Sequence, residues 1–267
     1  MGEVVRVETL GLQPATQYRG TFAPDAPEPK PGAELPPGWE GLYFPYDAPL
    51  AQLRGDGSPA RDGVLPEFDL PRRLYAGEDA TYHRPLRYGD VVEQRVRAGS
   101  IVEKEGRGGR LVFADVIREY RVDGETAIES VWHDVFLGDA PSGAPRLLQP
   151  GPRDAARWRE ELAIDVRQLV RFSAITFNTH LVHVDRDWAR RVEHLDDLVV
   201  HGPLTRILLL DAVGRHAPGG TPASFAFRAH APILVDTRVT IRPGADGEVV
   251  ALDADGGLLA TGVVGRA

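Results

Sequence analysis

The sequence predicts an α+β protein built from two similar β-rich units, the second of which contains a long helix. Three observations support this prediction. Residues 80–137 carry four strand-like runs separated by turn sequences, residues 158–213 contain stretches with helical spacing of apolar residues, and residues 223–265 return to the strand pattern. Long adjacent runs of this kind are typical of an antiparallel, strongly bent sheet.

The N-terminal region is less regular than the rest of the chain. Residues 11–40 are rich in Pro, Gly and Ala, which predicts an extended arm or irregular lead-in rather than a helix. Residues 41–53 are apolar and aromatic, and they predict a short helix packed on the core. The turn sequences YGD, EGRGG and VDGE then separate four predicted strands, which cover residues 80–86, 90–105, 109–122 and 126–137.

The second unit begins after a segment dominated by Gly, Pro and Ala, which predicts a linker. The expected boundaries are residues 1–138 for the first unit, 139–153 for the linker and 154–267 for the second unit. Within the second unit, helices are predicted over residues 158–175 and 185–193, and a strongly apolar helix is predicted over residues 203–213 with Gly214 as its stop. Four strands follow, over residues 223–234, 236–244, 247–255 and 257–265.

A motif that occurs once in each unit supports the similarity of the two units. His83-Arg-Pro-Leu followed by Asp90 resembles His230-Ala-Pro-Ile followed by Asp236. A strand with valines comes next in both places, and both motifs fall at the same point of a four-strand series. We therefore expect two units of the same kind, the first with a degenerate helix.

Composition excludes several classes of protein. The 267-residue chain is 42% hydrophobic and has no cysteine, which excludes disulfides, thiolate zinc sites and a cysteine nucleophile. A net charge of −8 argues against a nucleic-acid partner. No apolar stretch reaches the length of about 18–20 residues that a membrane helix needs, and no signal peptide is evident, so a cytoplasmic protein is expected.

One segment of the second unit, residues 171–210, combines histidines with a turn sequence that opens a helix. His180 and His183 sit close together beside Asn178, within apolar sequence. A polar cluster in an apolar setting costs free energy unless its groups are paired, so the cluster indicates a site. The HGP turn at 201–203 supplies a helix N-terminus with free backbone N–H donors. Base candidates beside such donors predict carbonyl or thioester chemistry.

Each candidate has a role that its chemistry allows. His183 is the general-base candidate, because an unperturbed imidazole has a pKa of about 6.5. Asn178 cannot transfer protons, but its amide can hold a water or a substrate carbonyl. The N–H of Gly202 lies near a helix start, which favours developing negative charge, and glycine lets a substrate approach closely. Water activation combined with enolate stabilisation would be a hydration apparatus.

Neighbouring residues have structural alternatives that stay open. Asp185 serves equally well as a helix cap, His180 as a partner that orients its neighbours, and His201 as a group that satisfies the backbone at the turn. His180, His183 and Asp185 are metal-ligating residue types, but their spacing differs from standard zinc motifs, so no metal is predicted.

The segments SAITFNTHLVHVDRDWA (173–189) and LVVHGPLTRILLL (198–210) resemble the MaoC-like hotdog hydratases and dehydratases. The closest resemblance is to the branch with a FAS1-type dehydratase N-terminal domain, which includes mesaconyl-C4-CoA (3-methylfumaryl-CoA) hydratases and mitochondrial-type 3-hydroxyacyl-thioester dehydratases. Residues 83–120 resemble that N-terminal domain, and the resemblance covers residues 39–267. It implies a double hotdog, in which two bent antiparallel sheets each wrap around a helix and the first helix is degenerate.

The resemblance also assigns roles to residues. His183 matches the catalytic histidine of the hydratase motif, and Gly202 matches the glycine whose N–H binds the thioester oxygen. Asn178 stands where the wider superfamily carries a catalytic aspartate, and His180 stands where it carries a structural asparagine. This departure removes the usual carboxylate and makes His183 the expected carrier of all the proton transfer.

The implied activity is that of a hydro-lyase without a cofactor, which hydrates a 2-enoyl thioester and dehydrates a 3-hydroxyacyl thioester. The expected substrate is an acyl-CoA, such as a branched or dicarboxylic ester, with Arg171 and Arg206 as candidates to hold its phosphates. An acyl carrier protein is the alternative carrier. A hotdog thioesterase and a dehydratase-like protein for carrier-bound polyketide or fatty acyl chains stay open as other functions. Both a monomer and a homodimer of double hotdogs are compatible with the sequence.

Overall fold

Antiparallel strands form one continuous sheet in the computed structural model, which describes residues 2–59, 63–106, 109–138, 148–152, 157–216 and 220–266. Within these residues the sheet has ten strands. They are β1 (Glu3–Thr9), β2 (Arg72–Tyr82), β3 (Val91–Gly106), β4 (Gly109–Val122), β5 (Glu125–Leu137), β6 (Glu160–Leu162), β7 (Ser224–Ala229), β8 (Val239–Pro243), β9 (Glu248–Leu252) and β10 (Leu258–Gly265). The helices are α1 (Leu12–Phe22), α2 (Val166–Thr176), α3 (Arg186–Arg191) and α4 (Gly202–His216).

The strand order shows that the two halves of the sheet have the same topology. The order is β1-β3-β4-β5-β2 and then β7-β10-β9-β8-β6. When the five strands of each half are counted in chain order, the first strand lies at the outer edge of the sheet. The third, fourth and fifth strands follow it, and the second strand (β2 or β7) lies at the seam. His83 and His230 each come directly after the second strand of their unit. The structure therefore confirms that the motifs at His83 and His230 occupy equivalent positions in the two units.

The two units are joined edge to edge by β2 and β7. Gly77–Thr81 pairs antiparallel with Ser224–Arg228. Asp79 and Arg228 form an ion pair across this seam, with nitrogen–oxygen distances of 2.5 and 2.8 Å. Buried residues from both units belong to one hydrophobic cluster, so the seam lies over a shared core.

Helix α4 lies in that core. Every residue from Leu204 to Leu210 is buried, which explains why this stretch of sequence is apolar all round rather than amphipathic. The first unit has no counterpart of α4 in its described residues. Between α1 and β2 the described chain contains only single 3-10 turns, at Trp39–Leu42 and Leu50–Gln52. The degenerate first helix agrees with the expectation. The short helix expected over residues 41–53 is wrong in extent, because only these turns form there.

The extended arm predicted for residues 11–40 is wrong, because α1 forms within it. Pro14 falls in the first helical turn, where a backbone N–H has no intrahelical partner to lose. Tyr18 is fully buried against Trp39, and its hydroxyl donates to Asp211 in α4 at 2.9 Å. Tertiary packing of this tyrosine therefore outweighs the poor helix propensity of the Pro- and Gly-rich sequence.

The helix predicted over residues 158–175 starts later than expected. Residues 160–162 instead form the edge strand β6, which pairs with β8. Helix α2 begins at Val166 because Asp165 caps it. The Asp165 carboxylate accepts from the backbone N–H groups of Arg167 and Gln168, and the Gln168 side chain returns a contact to the Asp165 backbone.

Three further expectations concern segment ends. Helix α4 continues past Gly214 to His216, where Arg215 and His216 both bind Glu160 of β6. Of the predicted linker, residues 139–147 and 153 lie outside the described residues, and the described part includes a bridge between Pro150 and Gly257. Residues 107–108 of the EGRGG turn also lie outside the described residues.

Among the helices that are described, none has the length and apolarity to cross a bilayer.

Candidate active site

A cavity of about 430 Å³ lies between the two units. The first unit contributes β2, β5 and the loop before β2 to its wall. The second unit contributes the turn after α2, the first residues of α4 and the segment after β7. The polar side chains on this wall include Ser58, Arg73, Tyr75, Asn178, His180 and His183.

The turn after α2 owes its shape to a left-handed residue. Phe177 has φ 52° and ends the helix, so that the chain reverses and its next residues face the cavity. Leu181–His183 then forms a single 3-10 turn. Asn178 and His183, which the sequence predicted as site residues, are thereby brought to the same cavity.

His183 is held in one tautomer. Its Nδ1 lies 2.8 Å from the Val199 carbonyl oxygen. Because a carbonyl oxygen only accepts hydrogen bonds, Nδ1 carries the proton and Nε2 keeps its lone pair. Burial and, to a smaller extent, the nearby His180 lower the pKa of His183 to about 3, and the bond to Val199 opposes both. The imidazole is therefore a neutral base at physiological pH.

His201 lies behind His183 rather than in the cavity. The two rings stack with centroids 3.8 Å apart, and His201 is fully buried. Its Nε2 contacts Ser173 Oγ at 2.9 Å. Burial lowers the pKa of His201 well below its ordinary value, and the other two histidines add to this. Among the described residues His201 Nδ1 has no partner, so the side chain does not satisfy backbone groups at the turn as one alternative expected; it packs against the ring of His183 instead.

Asn178 is oriented by the turn itself. Its Oδ1 accepts from the backbone N–H of His180 at 3.0 Å, so its amide nitrogen is the end of the side chain left to donate. The backbone N–H of Asn178 donates to the Ser173 carbonyl at 2.8 Å. The amide can therefore hold an oxygen atom in the cavity next to His183.

Gly202 stands at the first position of α4, and it also lines the cavity. The N–H groups of a first helical turn have no intrahelical acceptor, and the helix dipole makes this end favourable for negative charge. A Cβ at position 202 would overlap the ring of Tyr75 from β2. Glycine is therefore required by packing as well as by access to the backbone.

The arginines expected to hold CoA phosphates do not line the cavity. The expectation that Arg206 holds a phosphate is wrong, because its guanidinium is 2% exposed and forms ion pairs with Glu40 at 3.0 Å and Glu78 at 3.3 Å. Arg171 is exposed on α2, where it donates to Thr21 Oγ1. The buried carboxylates explain the position of Arg206, since an unpaired charge in the core would be costly.

Asp185 has a structural role in the described structure. The Asp185 carboxylate accepts from the backbone N–H of Trp188 at 3.0 Å, which makes it the N-cap of α3. In the described part of the chain, no group of three His, Asp or Glu side chains is arranged to hold a metal ion.

The sequence did not predict the residues that the first unit contributes. Arg73 reaches the cavity wall from β2, where it forms an ion pair with Asp134 of β5 at 2.6 Å. Asp56 lies 3.9 Å from His180 Nε2. Both residues are far from the histidines in sequence, so no local pattern links them to the site. The triplet Asp56-Gly57-Ser58 indicates a turn, but it does not indicate contact with His180.

Comparison with known proteins agrees with this architecture. The family model for hydroxyacyl-thioester dehydratase type 2 matches residues 38–235. The chain is 35% identical to mesaconyl-C(4)-CoA hydratase from Chloroflexus aurantiacus over 260 residues, which is 96% of this chain and 91% of that protein.

Two solved structures share the fold at low identity. A MaoC-like dehydratase from Phytophthora capsici aligns with a TM-score of 0.72 and 15% identity, over 99% of this chain and 95% of that one. A Mycobacterium tuberculosis protein described as having a double hotdog fold aligns with a TM-score of 0.63 and 14% identity, over 99% and 95% of the two chains. The fold is therefore the expected double hotdog.

Proposed function

The chain belongs to the hydroxyacyl-thioester dehydratase type 2 family, and from that premise we propose that it reversibly hydrates a 2-enoyl-CoA to a 3-hydroxyacyl-CoA. This is the chemistry of a hydro-lyase. The observation that carries the proposal is the fixed tautomer of His183, which leaves Nε2 as a neutral base on the wall of a cavity shared with the start of α4.

In the proposed reaction, His183 and Asn178 hold a water between them. His183 Nε2 takes a proton from this water while its oxygen attacks C3 of the acyl group. The depressed pKa of His183 keeps Nε2 unprotonated and able to accept a hydrogen bond from the water, but it also makes the ring a weaker base than an ordinary imidazole. The ring stacked behind it, His201, and the bond to Val199 limit its movement.

The attack at C3 moves the double-bond electrons towards the thioester oxygen. We assign the Gly202 N–H to bind this developing enolate oxygen, as a donor aimed at charge that grows during the reaction. Helix α4 is buried from Leu204 to Leu210, so the dipole of this part of the helix is poorly screened. The second unit would then carry the reacting groups, and the first unit would close the cavity.

The acyl group is proposed by analogy with the relative that acts on mesaconyl-C4-CoA. Mesaconyl-C4-CoA is therefore the first substrate to assay, beside unbranched enoyl-CoA esters.

His183→Ala tests the assignment. We expect hydration to fall by about 10²–10⁴ while the fold is retained. His194→Ala, at an exposed histidine outside the cavity, is the matched control and should keep normal rates. Following enoyl absorbance together with free thiol separates hydration from thioester hydrolysis. Near-normal hydration by His183→Ala, or release of CoA by the wild type in place of hydration, would contradict the proposal.

A further inference from the structure

A loop of the first unit packs against the turn that carries both cavity histidines. The backbone N–H of Leu181 donates to the Asp56 carbonyl at 2.8 Å, and Thr179 Oγ1 donates to the Gly57 carbonyl at 2.9 Å. Gly57 has φ 79°, and a side chain there would overlap the Thr179 carbonyl. The contact therefore depends on glycine, and it holds Asp56 next to His180.

Asp56 is a buried, ionised carboxylate. It is 1% exposed, and its Oδ1 accepts from Ser58 N at 2.9 Å and from Ser58 Oγ at 2.6 Å. Its Oδ2 lies 3.3 Å from Arg54 Nε. Burial raises the pKa of Asp56, but His180, Ser58 and Arg54 together outweigh burial and lower it.

His180 faces this carboxylate with an unsatisfied nitrogen. Its Nε2 lies 3.9 Å from Asp56 Oδ2 and has no hydrogen-bond partner within the described residues. The His180 ring meets the ring of His183 edge to face, with centroids 5.3 Å apart, and both rings line the same cavity. His180 and His183 are therefore adjacent imidazoles on the cavity wall, which His230 also lines, and His180 has a carboxylate behind it.

We propose that His180 is a second catalytic residue, which carries the proton exchanged at C2 of the acyl group, and that Asp56 is the positioning residue that holds it for that step. This inference rests on the proposed hydration of an enoyl thioester. It assigns to two side chains the proton transfers that the sequence pattern left to His183 alone.

One base could take the water proton and return it to C2, whereas a second group would let the two proton transfers use separate side chains. During hydration the water loses a proton as its oxygen bonds to C3, and the neighbouring carbon C2 gains a proton. Asn178 cannot deliver a proton, because an amide does not titrate. His183 has only Nε2 available, since its Nδ1–H is bound to the Val199 carbonyl. His180 is the titratable ring that contacts His183, whereas His230, which also lines the cavity, lies after β7 and contacts Thr261 Oγ1 at 3.0 Å.

The proton count closes as follows. The reactive form has a protonated His180, with Asp56 as its counter-ion, and a neutral His183; because burial lowers the pKa of His180, this form becomes more populated as pH falls. A water proton passes to His183 Nε2 as the oxygen–C3 bond forms and the C2–C3 double-bond electrons become an enolate. The enolate takes a proton from His180 at C2, which gives the 3-hydroxyacyl thioester. The proton left on His183 returns to His180 through solvent after product release.

The charges around His180 make its titration depend on Asp56. Burial lowers the pKa of His180, Asp56 and Glu193 raise it, and Arg73 and Arg54 lower it. The two other histidine rings of the site are neutral, since burial depresses the pKa of each. Asp56 is the carboxylate within ion-pair distance of Nε2, so removing its charge should favour the neutral ring.

The test begins with His180→Asn and His180→Gln in the full chain, assayed with the enoyl-CoA that the wild type hydrates best. We expect kcat to fall by about 10²–10⁴ with KM little changed, because binding does not depend on the transferred proton. The double variant Asn178→Asp with His180→Asn should regain part of this loss, because a carboxyl on the same wall can carry the proton.

The second arm is the pH profile of Asp56→Asn, which preserves size and the contact with Ser58. Hydration needs protonated His180, so its rate falls as pH rises through the pKa of His180, and this limb of the profile should move to lower pH in the variant. Asp47→Asn, at an exposed carboxylate with 73% side-chain exposure, should leave the profile unchanged.

The outcomes separate the two proposals. An active wild type with an inactive His183→Ala but a normal kcat in both His180 variants would overturn this inference alone. An unchanged alkaline limb in Asp56→Asn would also overturn it. A wild type that hydrates no enoyl thioester would overturn the proposed function and this inference together.

Discussion

The ring of Tyr75 lies against the Cα of Gly202, so the two units meet at the first residue of α4. Tyr75 is fixed from several sides. Its hydroxyl donates to Glu78 at 3.0 Å, and its ring packs on Trp132 and on Phe227. The side chain from the first unit thus defines how closely any group can approach the helix start of the second unit.

Gly202→Ala should therefore reduce hydration without abolishing folding. The added methyl group would displace the Tyr75 ring or the helix start, and either movement misaligns the N–H that we assign to the enolate oxygen. Loss of one such donor typically costs about 10²–10³ in kcat. Steady-state kinetics on an enoyl-CoA would measure this loss.

The same helix contains a matched control. Gly214 also lies in α4, but a Cβ there would meet nothing within 4 Å. Gly214→Ala should keep full activity and raise the free energy of unfolding by up to about 1 kcal/mol, because alanine has the higher helix propensity. Equal effects of the two substitutions on kcat would contradict the special role of position 202.

The sequence could predict the local part of this site because its signals are short in range. Strand alternation, the Asp185 cap and the histidines beside the HGP turn all depend on neighbours in the chain. Tyr75 and Asp56 could not be predicted in this way, since they reach the site only through pairing of β2 with β7 and through loop packing. Helix α1 escaped prediction for the same reason, because a distant contact of Tyr18 stabilises it.

The three site histidines should make the fold sensitive to acid. Burial lowers the pKa of His183 to about 3, and it also lowers the pKa values of His180 and His201. In the unfolded chain these rings take up protons below about pH 6.5. The folded state binds fewer protons, so its free energy of unfolding should decrease as pH falls from about 6.5 towards 3.

Urea unfolding between pH 7 and pH 5 measures this loss of stability. His183→Gln removes one of the buried rings, so the loss over this interval should be smaller than in the wild type. His194→Gln, at an exposed position, should show the wild-type dependence. An identical pH dependence in all three proteins would contradict the linkage.

Asp211 should act on stability in the opposite direction. It accepts from the Tyr18 hydroxyl and from Trp39 Nε1, both at 2.9 Å, and burial raises its pKa to about 6. Because the folded pKa lies above the unfolded value of about 3.9, its contribution is full below about pH 4 and lost as pH rises through about 6. Asp211→Asn removes this titration.

The free energy of unfolding of Asp211→Asn, relative to the wild type, should therefore rise between pH 5 and pH 7. Asp187→Asn on the exposed face of α3 serves as the control, and its difference from the wild type should show no such trend. A constant difference for Asp211→Asn would indicate that the carboxyl stays ionised across this range.

Arg206 distinguishes a structural arginine from a phosphate-binding one. Its guanidinium is shielded from solvent and forms ion pairs with Glu40 and Glu78. It also donates to the Tyr82 hydroxyl at 2.9 Å. Burial raises the pKa of Glu78, and the charge of Arg206 opposes this rise more than any other group does. The three charged side chains come from both units, so their pairing couples α4 to the first unit.

Arg206→Met should therefore destabilise the protein by about 3–5 kcal/mol, because it leaves two buried carboxylates without a cation. Adding Glu40→Gln and Glu78→Gln should restore much of the lost stability, since neutral amides need no counter-charge. Arg171→Met, at an exposed arginine on α2, is the matched control and should change stability by less than about 0.5 kcal/mol. Urea midpoints report these effects, and KM for an enoyl-CoA separates them from CoA binding. A stable Arg206→Met with a raised KM would mean that this arginine holds a phosphate after all.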